Sequence, residues 1–334
     1  MGQFLSNCSA SAMADAAANL LAGRLVAFPT ETVYGLGADA CSADAVARVY
    51  SVKGRPADHP LIVHVASVDA LGDWASDVRA YAIALARDFW PGPMTLVVYR
   101  SGLAADFVTG GQDTVGVRVP NHPVALGLLE AFARVGGKGV AAPSANRFGN
   151  VSPTSAKAVS DELDDYLEDD DLILDGGACD VGVESTIIDC TGDVPKILRP
   201  GAITAEMISE STGLRVGSIF VDGPAAGTPQ IRFSGSLDSH YAPIAKVVLD
   251  QSPQSGQGLI AIADIATPDG VVRLASPKSH DEFAQVLYSA LRAADEQDLS
   301  SVIVIQPLGE GIAIAIRDRL KRASSTKSTF NEFG

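Results

Sequence analysis

The sequence predicts an α/β protein with two domains, and three observations support this. Apolar runs of strand length alternate with amphipathic runs of helical length along residues 9–205. Residues 218–243 are rich in Gly, Pro and Ser without a sustained periodicity, which is typical of a linker. The chain has 334 residues, more than the roughly 150 of a common single domain.

The larger domain is predicted from short apolar strands and longer amphipathic helices. The helix that ends at Lys53 is a clear example, because Ser42 provides an N-cap, Val46 and Val49 share one face, and Gly54 ends the pattern. Strands are predicted at 24–28, 61–65, 94–99, 114–119, 139–142, 172–174 and 185–190. Helices are predicted at 11–22, 43–53, 78–89, 122–134 and 204–211.

The smaller domain is predicted after the linker. "AKVVLD", "GLIAIAD" and "SVIVIQP" indicate buried strands, whereas "DEFAQVLYSALRAADE" and "GIAIAIRDRLKRAS" indicate amphipathic helices. Strands that alternate with helices favour a small, mostly parallel sheet. We therefore expect a first domain at 9–205, a linker at 206–245 and a C-terminal domain at 246–325.

Composition excludes several classes of protein. The net charge of −15 argues against strong direct binding of nucleic acid, although arginines can still form a local cationic pocket. The sequence contains no run of about 18 apolar residues, so no membrane span is predicted. The N-terminus has no basic segment of the secretory type. Four widely spaced cysteines show no metal-binding pattern, and we expect idle thiols in a reducing cytoplasm.

Polar segments follow or end the predicted strands, where open α/β sheets bind ligands. Each has an ordinary structural alternative when taken alone, such as a turn, a buried histidine or a lysine that complements a helix dipole. Together they bring four cations and several hydroxyl and amide groups. Such a set is suited to binding a polyphosphate and a carboxylate. The sequence has no Walker or GxGxxG motif, so a nucleotide would be bound in neither of those modes. The cations are Lys53, Arg55, Arg118 and Arg199.

Seven motifs in order resemble one known family. They are "FPTETVYGLG", "KGRPADHPLIVH", "WPGPMTLV", "RVPNHP", "APSAN", "ESTIID" and "LRPG". Over residues 12–202 the chain looks like the YrdC-like threonylcarbamoyl-AMP synthases, and "SHYAP" with the second domain resembles the long form of that family. The resemblance implies a YrdC-like twisted open mixed sheet with flanking helices and a Rossmann-like C-terminal domain.

The resemblance also implies a reaction. Such enzymes make L-threonylcarbamoyladenylate and pyrophosphate from L-threonine, bicarbonate or CO2, and ATP, with Mg2+ expected on the phosphates. A partner tRNA threonylcarbamoyl transferase then modifies adenosine 37 of ANN-decoding tRNAs to t6A. The family is cytoplasmic, and the resemblance assigns no side chain to a metal.

The resemblance assigns binding roles to the residues of this chain that match the family's motif positions. Residues at threonine-binding positions are Thr32, His64, Arg118 and Ser185. Residues at ATP-binding positions are Lys53, Arg55, His59, Ser144, Asn146, Ser152, Arg199 and Tyr241. Lys53, Arg55 and Arg118 are expected to be catalytic, because every reactant is anionic. Lys53 and Arg55 lie just past a helix end, where truncation is expected to remove little packing.

Two segments carry further expectations. Phe28–Gly37 is expected to be a turn on the threonine side of the pocket floor, with Gly35 and Gly37 allowing close approach of the ligand. Linker residues 218–243 are expected to order on nucleotide binding, with Tyr241 closing over the pocket.

The sequence departs from the family pattern in two places. The long form often has "SPGMxYRHYAP", whereas this chain has "SGSLDSHYAP" with Ser239 in place of the arginine. The position of His59 is Asn in some relatives.

Two other functions remain open at this point. A YrdC-like module could bind RNA without synthetase activity, although the net charge of −15 counts against it. YrdC-like domains of hydrogenase-maturation proteins perform carbamoyl transfer, but their zinc-finger and acylphosphatase-like parts have no match here.

Overall fold

The computed structural model describes residues 2–5, 8–218, 231–235 and 241–325. The contacts divide the chain into two compact units. The first contains residues 1–147 and 153–236, and the second contains residues 148–152 and 237–334. Residues 219–230 and 236–240 of the predicted linker lie outside the described residues. They include Ser239 and most of the segment that is expected to order when nucleotide binds.

The first unit is built on one large mixed sheet, which confirms the predicted fold class. The strand order is β1-β9-β2-β3-β8-β4-β7-β6-β10-β11-β12, with β5 paired to β6. The strands are β1 Gln3–Leu5, β2 Val26–Phe28, β3 Gly35–Asp39, β4 Ile62–His64, β5 Ala75–Asp77, β6 Met94–Arg100, β7 Thr114–Arg118, β8 Val140–Ala141, β9 Leu172–Leu174, β10 Thr186–Asp189, β11 Lys196–Arg199 and β12 Gly217–Ser218.

Helices cover this sheet, and hydroxyl side chains begin several of them. The side chains of Ser9, Ser42, Ser155 and Thr204 each accept a hydrogen bond from the backbone N–H three residues later. The helices are α1 Ala10–Leu21, α2 Ala43–Lys53, α3 Leu71–Trp74, α4 Ala80–Phe89, α5 Asp106–Thr109, α6 Pro123–Arg134, α7 Ala156–Leu163 and α8 Ala205–Thr212.

Both faces of the sheet are buried near β2. Val26 and Phe28 pack into the core under α1 and α6, whereas Ala27 packs into the larger core on the opposite face. A strand buried on both faces is apolar at every position, which explains why this strand was evident in the sequence.

The second unit contains a four-stranded parallel sheet, as predicted. Its order is β13-β16-β14-β15, and the strands are β13 Lys246–Leu249, β14 Gly258–Ile260, β15 Val272–Ala275 and β16 Ser301–Val304. Two helices follow β15 and β16, α9 His280–Glu296 and α10 Ile312–Ser324. Strand β15 was not predicted, because it is a half-buried edge strand with an arginine in its four residues.

The expected turn Phe28–Gly37 is shorter than predicted. Its last residues form β3, which pairs with β2 in an antiparallel register that places Gly35 beside Phe28. A Cβ atom at Gly37 would lie 2.7 Å from Val140 Cγ1 and 2.8 Å from Phe28 Cε1. Glycine at this position is therefore required by core packing, and the expectation of close ligand approach at Gly37 is wrong.

Two further sequence-based expectations can be compared with the structure. Among the described residues, no helix combines the length and apolar character needed to cross a bilayer. All four cysteines are unpaired thiols, of which Cys179 and Cys190 are buried and Cys41 is exposed.

Candidate active site

One face of the large sheet carries a row of polar side chains. His64 on β4 is paired in register with Arg118 on β7, and paired residues project from the same face. Leu96 of β6 is opposite Val117, so Thr95 lies beside Arg118 on that face. The intervening apolar residues of these strands face the core on the other side. These strands therefore place apolar side chains on one face and a group of buried polar side chains on the other.

Arg118 is the best-oriented cation of this row. Its Nη2 lies 2.8 Å from Glu31 Oε1, and both side chains are only 5% exposed. Its Nε donates to the backbone oxygen of Gly92 at 3.3 Å. Glu31 is itself fixed, because its Oε2 accepts from the backbone N–H of Asn121 at 3.0 Å. Arg118 Nη2 and Glu31 Oε1 meet as an ion pair without forming a hydrogen bond, so among the described residues the guanidinium keeps a donor for an anion.

His64 is a neutral, buried imidazole. Burial, reinforced by the neighbouring Arg118 guanidinium, lowers the pKa of His64 to about 3. The ring packs edge-on against Phe28 with centroids 5.9 Å apart. Among the described residues Nδ1 has no hydrogen-bond partner, so His64 can donate to or accept from a ligand without bringing charge.

The turn before β3 presents an acceptor at Thr32. Thr30 Oγ1 donates to the backbone oxygen of Val33 at 2.7 Å, which commits its single proton. The hydroxyl groups of Thr30 and Thr32 are 2.8 Å apart, so Thr32 must be the donor of that contact. The oxygen of Thr32 then keeps its lone pairs for a ligand.

Ser185 joins the row next to Thr95. Their hydroxyl oxygens are 2.8 Å apart. Arg199, at the end of β11, donates from Nη2 to Ser185 Oγ at 3.1 Å and from Nε to the Ser185 backbone oxygen at 3.1 Å. Ser185, predicted for threonine, and Arg199, predicted for ATP, are therefore direct neighbours, as two adjoining ligands would require.

Lys53 lies at the end of α2 and is almost completely buried. Its Nζ donates to the backbone oxygens of Ser144 and Asn146. Burial, reinforced by the nearby Arg55 guanidinium, lowers the pKa of Lys53 well below its ordinary value. The expectation that truncation here removes little packing is wrong for Lys53, which is 2% exposed and joins two segments.

Arg55 and Arg199 both contact the segment Ile231–Gly235. Ser234 Oγ accepts from Arg55 Nη2 at 3.4 Å, and the Ser234 backbone oxygen accepts from Arg199 Nη1 at 2.9 Å. Phe233 anchors the segment by packing into an apolar cluster with Val97 and Ile187 on the sheet. A described part of the predicted linker thus lies on two cations predicted to bind ATP.

Three first-unit residues predicted for ATP remain, two in the loop after β8 and one in the loop after α2. Ser144 bridges to Gly35 at the start of β3, and Asn146 Nδ2 donates to the backbone oxygen of Arg147 at 2.7 Å. His59 lies in the same loop as Arg55, and burial followed by the charge of Arg55 lowers its pKa.

Ser152 and Tyr241 belong to the second unit. Ser152 is buried there. The ring of Tyr241 stacks on Tyr288 with centroids 5.8 Å apart and lies 5.5 Å from the Arg319 guanidinium. Their contacts with a nucleotide remain predictions.

The structure gives roles to three residues for which the sequence predicted none. Glu31 orients Arg118, Thr95 hydrogen bonds to Ser185, and Ser234 contacts two arginines. A signal existed for Thr95, a lone hydroxyl within the apolar run "PMTLVV". Glu31 lies within the motif "FPTETVYGLG", but no local pattern shows its role or that of Ser234, because their partners are distant in the sequence.

The donors around Lys53 do not resemble a cation site. They are ammonium, guanidinium, hydroxyl and carbonyl groups, whereas Mg2+ bound by protein uses one or two carboxylates. Among the described residues, no group of three His, Cys, Asp or Glu side chains is placed to hold a metal. This face of the sheet is suited to anions.

Two family models match the chain. The Sua5/YciO/YrdC model, described as telomere recombination, matches residues 18–201. The model described as threonylcarbamoyl-AMP synthase, C-terminal domain, matches residues 203–325.

Individual relatives match over most of the chain. The threonylcarbamoyl-AMP synthase of Pyrococcus abyssi is 39% identical over 318 residues, which cover 90% of this chain and 91% of that protein. The threonylcarbamoyl-AMP synthase of Bacillus subtilis is 39% identical over 331 residues, which cover 93% and 92%. The crystal structure of P. abyssi Sua5 complexed with L-threonine has a TM-score of 0.83 at 36% identity and covers 97% of each chain.

Proposed function

Because the chain belongs to the Sua5/YciO/YrdC family and its relatives are threonylcarbamoyl-AMP synthases, we propose that it makes L-threonylcarbamoyladenylate and pyrophosphate from L-threonine, bicarbonate or CO2, and ATP. The observation that supports this best is the polar row on one face of the sheet. It combines an oriented arginine, a neutral histidine and hydroxyl groups with an adjoining arginine.

The threonine half of the site centres on Arg118. Its guanidinium binds the substrate carboxylate, while the ion pair with Glu31 and the hydrogen bond to the Gly92 carbonyl hold it in place. Thr32 offers acceptor lone pairs to the substrate amine or hydroxyl. His64 adds a neutral polar contact, so it does not compete with Arg118 for the carboxylate.

The ATP half uses Lys53, Arg55 and Arg199. Three cations from α2, the following loop and β11 offset the phosphate charge, which would otherwise repel an incoming carbamate. Arg55 and Arg199 exchange their contacts with Ser234 for phosphate oxygens as ATP binds.

The chemistry then consists of two bond-forming steps. Bicarbonate first takes up a proton and loses water to give CO2, and the threonine amine attacks CO2, forms a C–N bond as one C–O π bond opens, loses a proton and becomes a carbamate. A carbamate oxygen attacks the α-phosphorus of ATP, the α–β phosphoanhydride bond breaks, and pyrophosphate leaves. The carbamate and ATP are both anionic, so the protein acts mainly by neutralising charge and aligning the reacting atoms.

Magnesium is proposed as a companion of ATP. The cationic and neutral donors of this pocket do not fit a protein-held cation, so Mg2+ is held by phosphate oxygens and water. We assign no step to it.

The product is an activated acyl-adenylate that another enzyme must use. We propose that a partner tRNA threonylcarbamoyl transferase transfers the threonylcarbamoyl group to adenosine 37 of ANN-decoding tRNAs in the cytoplasm. An RNA-binding module without synthetase activity is not favoured, because the relatives are synthases and the net charge is −15.

The proposal is tested by incubating the protein with ATP, L-threonine and labelled bicarbonate. We expect label in an adenylate and one pyrophosphate released for each adenylate formed, both dependent on threonine. Omission of threonine, or its replacement by valine, serves as the control. Binding of tRNA without threonine-dependent pyrophosphate release would instead support the RNA-binding function.

A further inference from the structure

Arg147 caps the helix that presents Lys53. Its Nη1 donates to the backbone oxygens of Val52 and Ser51, the latter at 3.4 Å, in the last turn of α2. The last carbonyls of a helix lack partners from a following helical turn, and the negative end of the helix dipole favours a cation there. The Ser51 oxygen also accepts from the N–H of the C-cap Gly54 at 3.0 Å. The guanidinium therefore stabilises the turn from which Lys53 projects.

Arg147 is held firmly in this position. Its backbone N–H donates to Glu162 Oε1 at 2.8 Å. Its guanidinium lies 4.1 Å from the centre of the Tyr166 ring, a cation–π distance. Gly54, the left-handed C-cap of α2, leaves room for it, since a Cβ there would lie 2.8 Å from Arg147 Nη2. The side chain is thus fixed at both ends.

Together, Arg147 and Lys53 form a reciprocal clasp. Lys53 extends from α2 to the backbone oxygens of Ser144 and Asn146 in the loop after β8, and Arg147 extends from that loop back to α2. The two segments so joined carry three of the residues predicted to bind ATP, Lys53, Ser144 and Asn146. A shift of either segment would move Lys53 relative to the phosphates.

We propose that Arg147 is a positioning residue for ATP, which sets the location of Lys53 without contacting the nucleotide. The inference rests on the proposed function, because it takes Lys53 as a phosphate contact. It assigns Arg147 to the ATP half of the site, since the contacts of Arg147 with α2, Glu162 and Tyr166 involve none of the threonine-side residues.

Arginine is suited to this role in a way that lysine is not. The planar guanidinium reaches two neighbouring carbonyls and at the same time stacks on an aromatic ring, whereas an ammonium is a point charge on a flexible stem. Arg147→Lys should therefore restore part of the function that Arg147→Gln loses.

The test compares Arg147→Gln, Arg147→Lys and the surface control Arg134→Gln with the wild type. We expect Arg147→Gln to raise the KM for ATP about tenfold while the KM for threonine stays within about twofold. Arg147→Lys should give an intermediate KM for ATP, and Arg134→Gln should match the wild type. Calorimetric titration with a non-hydrolysable ATP analogue, without threonine, should show the same order of affinities.

The inference is overturned if the KM for ATP of Arg147→Gln stays within about twofold of the wild type, or if both KM values rise together as the melting temperature falls. Either result would leave Arg147 with a purely structural role. If the wild type releases no pyrophosphate, the proposed function fails, and the calorimetric titration still decides whether Arg147 controls nucleotide affinity.

Discussion

Glu31 and Arg118 form a buried ion pair, with Oε1 and Nη2 2.8 Å apart and both side chains only 5% exposed. A buried pair of this kind is costly to form and more costly to break, because the remaining charge then has no compensation. The pair also turns one edge of the guanidinium towards the polar face of the sheet. The contribution of the pair to stability and its effect on threonine binding can be tested separately.

Arg118→Ala should raise the KM for threonine about tenfold to 150-fold, the effect of losing a charge-assisted hydrogen bond to the substrate carboxylate. The KM for ATP should change far less. The variant will also be less stable, because Glu31 loses its partner, but KM does not depend on the fraction of folded enzyme. Equal increases for both substrates in steady-state assays would contradict the assignment of Arg118 to threonine.

Glu31→Gln should lower the free energy of unfolding by about 3–5 kcal/mol. The neutral amide cannot accept from both Arg118 and the Asn121 N–H, so one contact is lost in either orientation. Urea denaturation measures the change. Lys157→Ala is the matched control, because its exposed pair with Asp161 on α7 should contribute only about 0.3–0.5 kcal/mol. Similar losses in the two variants would show that the buried pair has no special stabilising role.

Lys53→Met and Arg55→Met should each reduce kcat/KM for ATP about tenfold to 150-fold, since each removes charged donors and keeps much of the side-chain volume. Lys53→Met should also lower the melting temperature, because the Ser144 and Asn146 carbonyls lose their donor. Lys138→Met, at an exposed site, is the control. If kcat/KM for ATP is unchanged in the folded variants, these cations have no part in ATP use.

Much of the fold could be predicted because its strands are buried on both faces. The run ending at Phe28 is apolar at every position, which identified β2 at once. Strand β3 was missed, since Gly35 and Gly37 indicate a turn when their packing neighbours Phe28 and Val140 are unknown. A short edge strand such as β15 has no such continuous apolar run.

The site was predicted less completely, for a related reason. The motifs identified Arg118 and Lys53, because cations next to apolar strands are conspicuous. They could not show that Lys53 is buried between α2 and a distant loop, or that Glu31 lies against Arg118. These relationships arise only when separate strands come together in the sheet.

His64 should make stability depend on pH in the acidic range. Its pKa is lowered from an ordinary 6.5 to about 3, so between these values the unfolded chain binds a proton that the folded chain does not. Stability is therefore fully present above pH 6.5 and falls as the pH drops towards 3, by up to about 1.4 kcal/mol per pH unit. Urea denaturation of the wild type and His64→Gln at pH 7, 5.5 and 4.5 measures this contribution. If the free energies of unfolding of the two proteins change with pH in parallel, the pKa of His64 is not lowered in the folded state.

Phe233→Ala should separate ATP consumption from product formation. Phe233 is 6% exposed and packs against Val97 and Ile187, so it anchors the segment whose Ser234 contacts Arg55 and Arg199. Losing this anchor costs about 3–5 kcal/mol of packing. The segment should then detach more readily and admit water to the carbamate and the adenylate, which are both prone to hydrolysis.

Two measurements report the effect of Phe233→Ala, a product ratio and an exchange rate. The first is pyrophosphate released per threonylcarbamoyladenylate recovered, which should rise above that of the wild type. The second is the rate of amide hydrogen exchange in residues 231–235, which ATP and threonine together should slow in the wild type and slow less in the variant. Tyr99→Ala is the control, because this aromatic side chain is 41% exposed on β6 and lies outside the apolar cluster that contains Phe233. If the variant keeps the wild-type ratio while exchange accelerates, the segment does not protect the intermediates. Its contacts with the two arginines would then only compete with ATP, and the KM for ATP should fall.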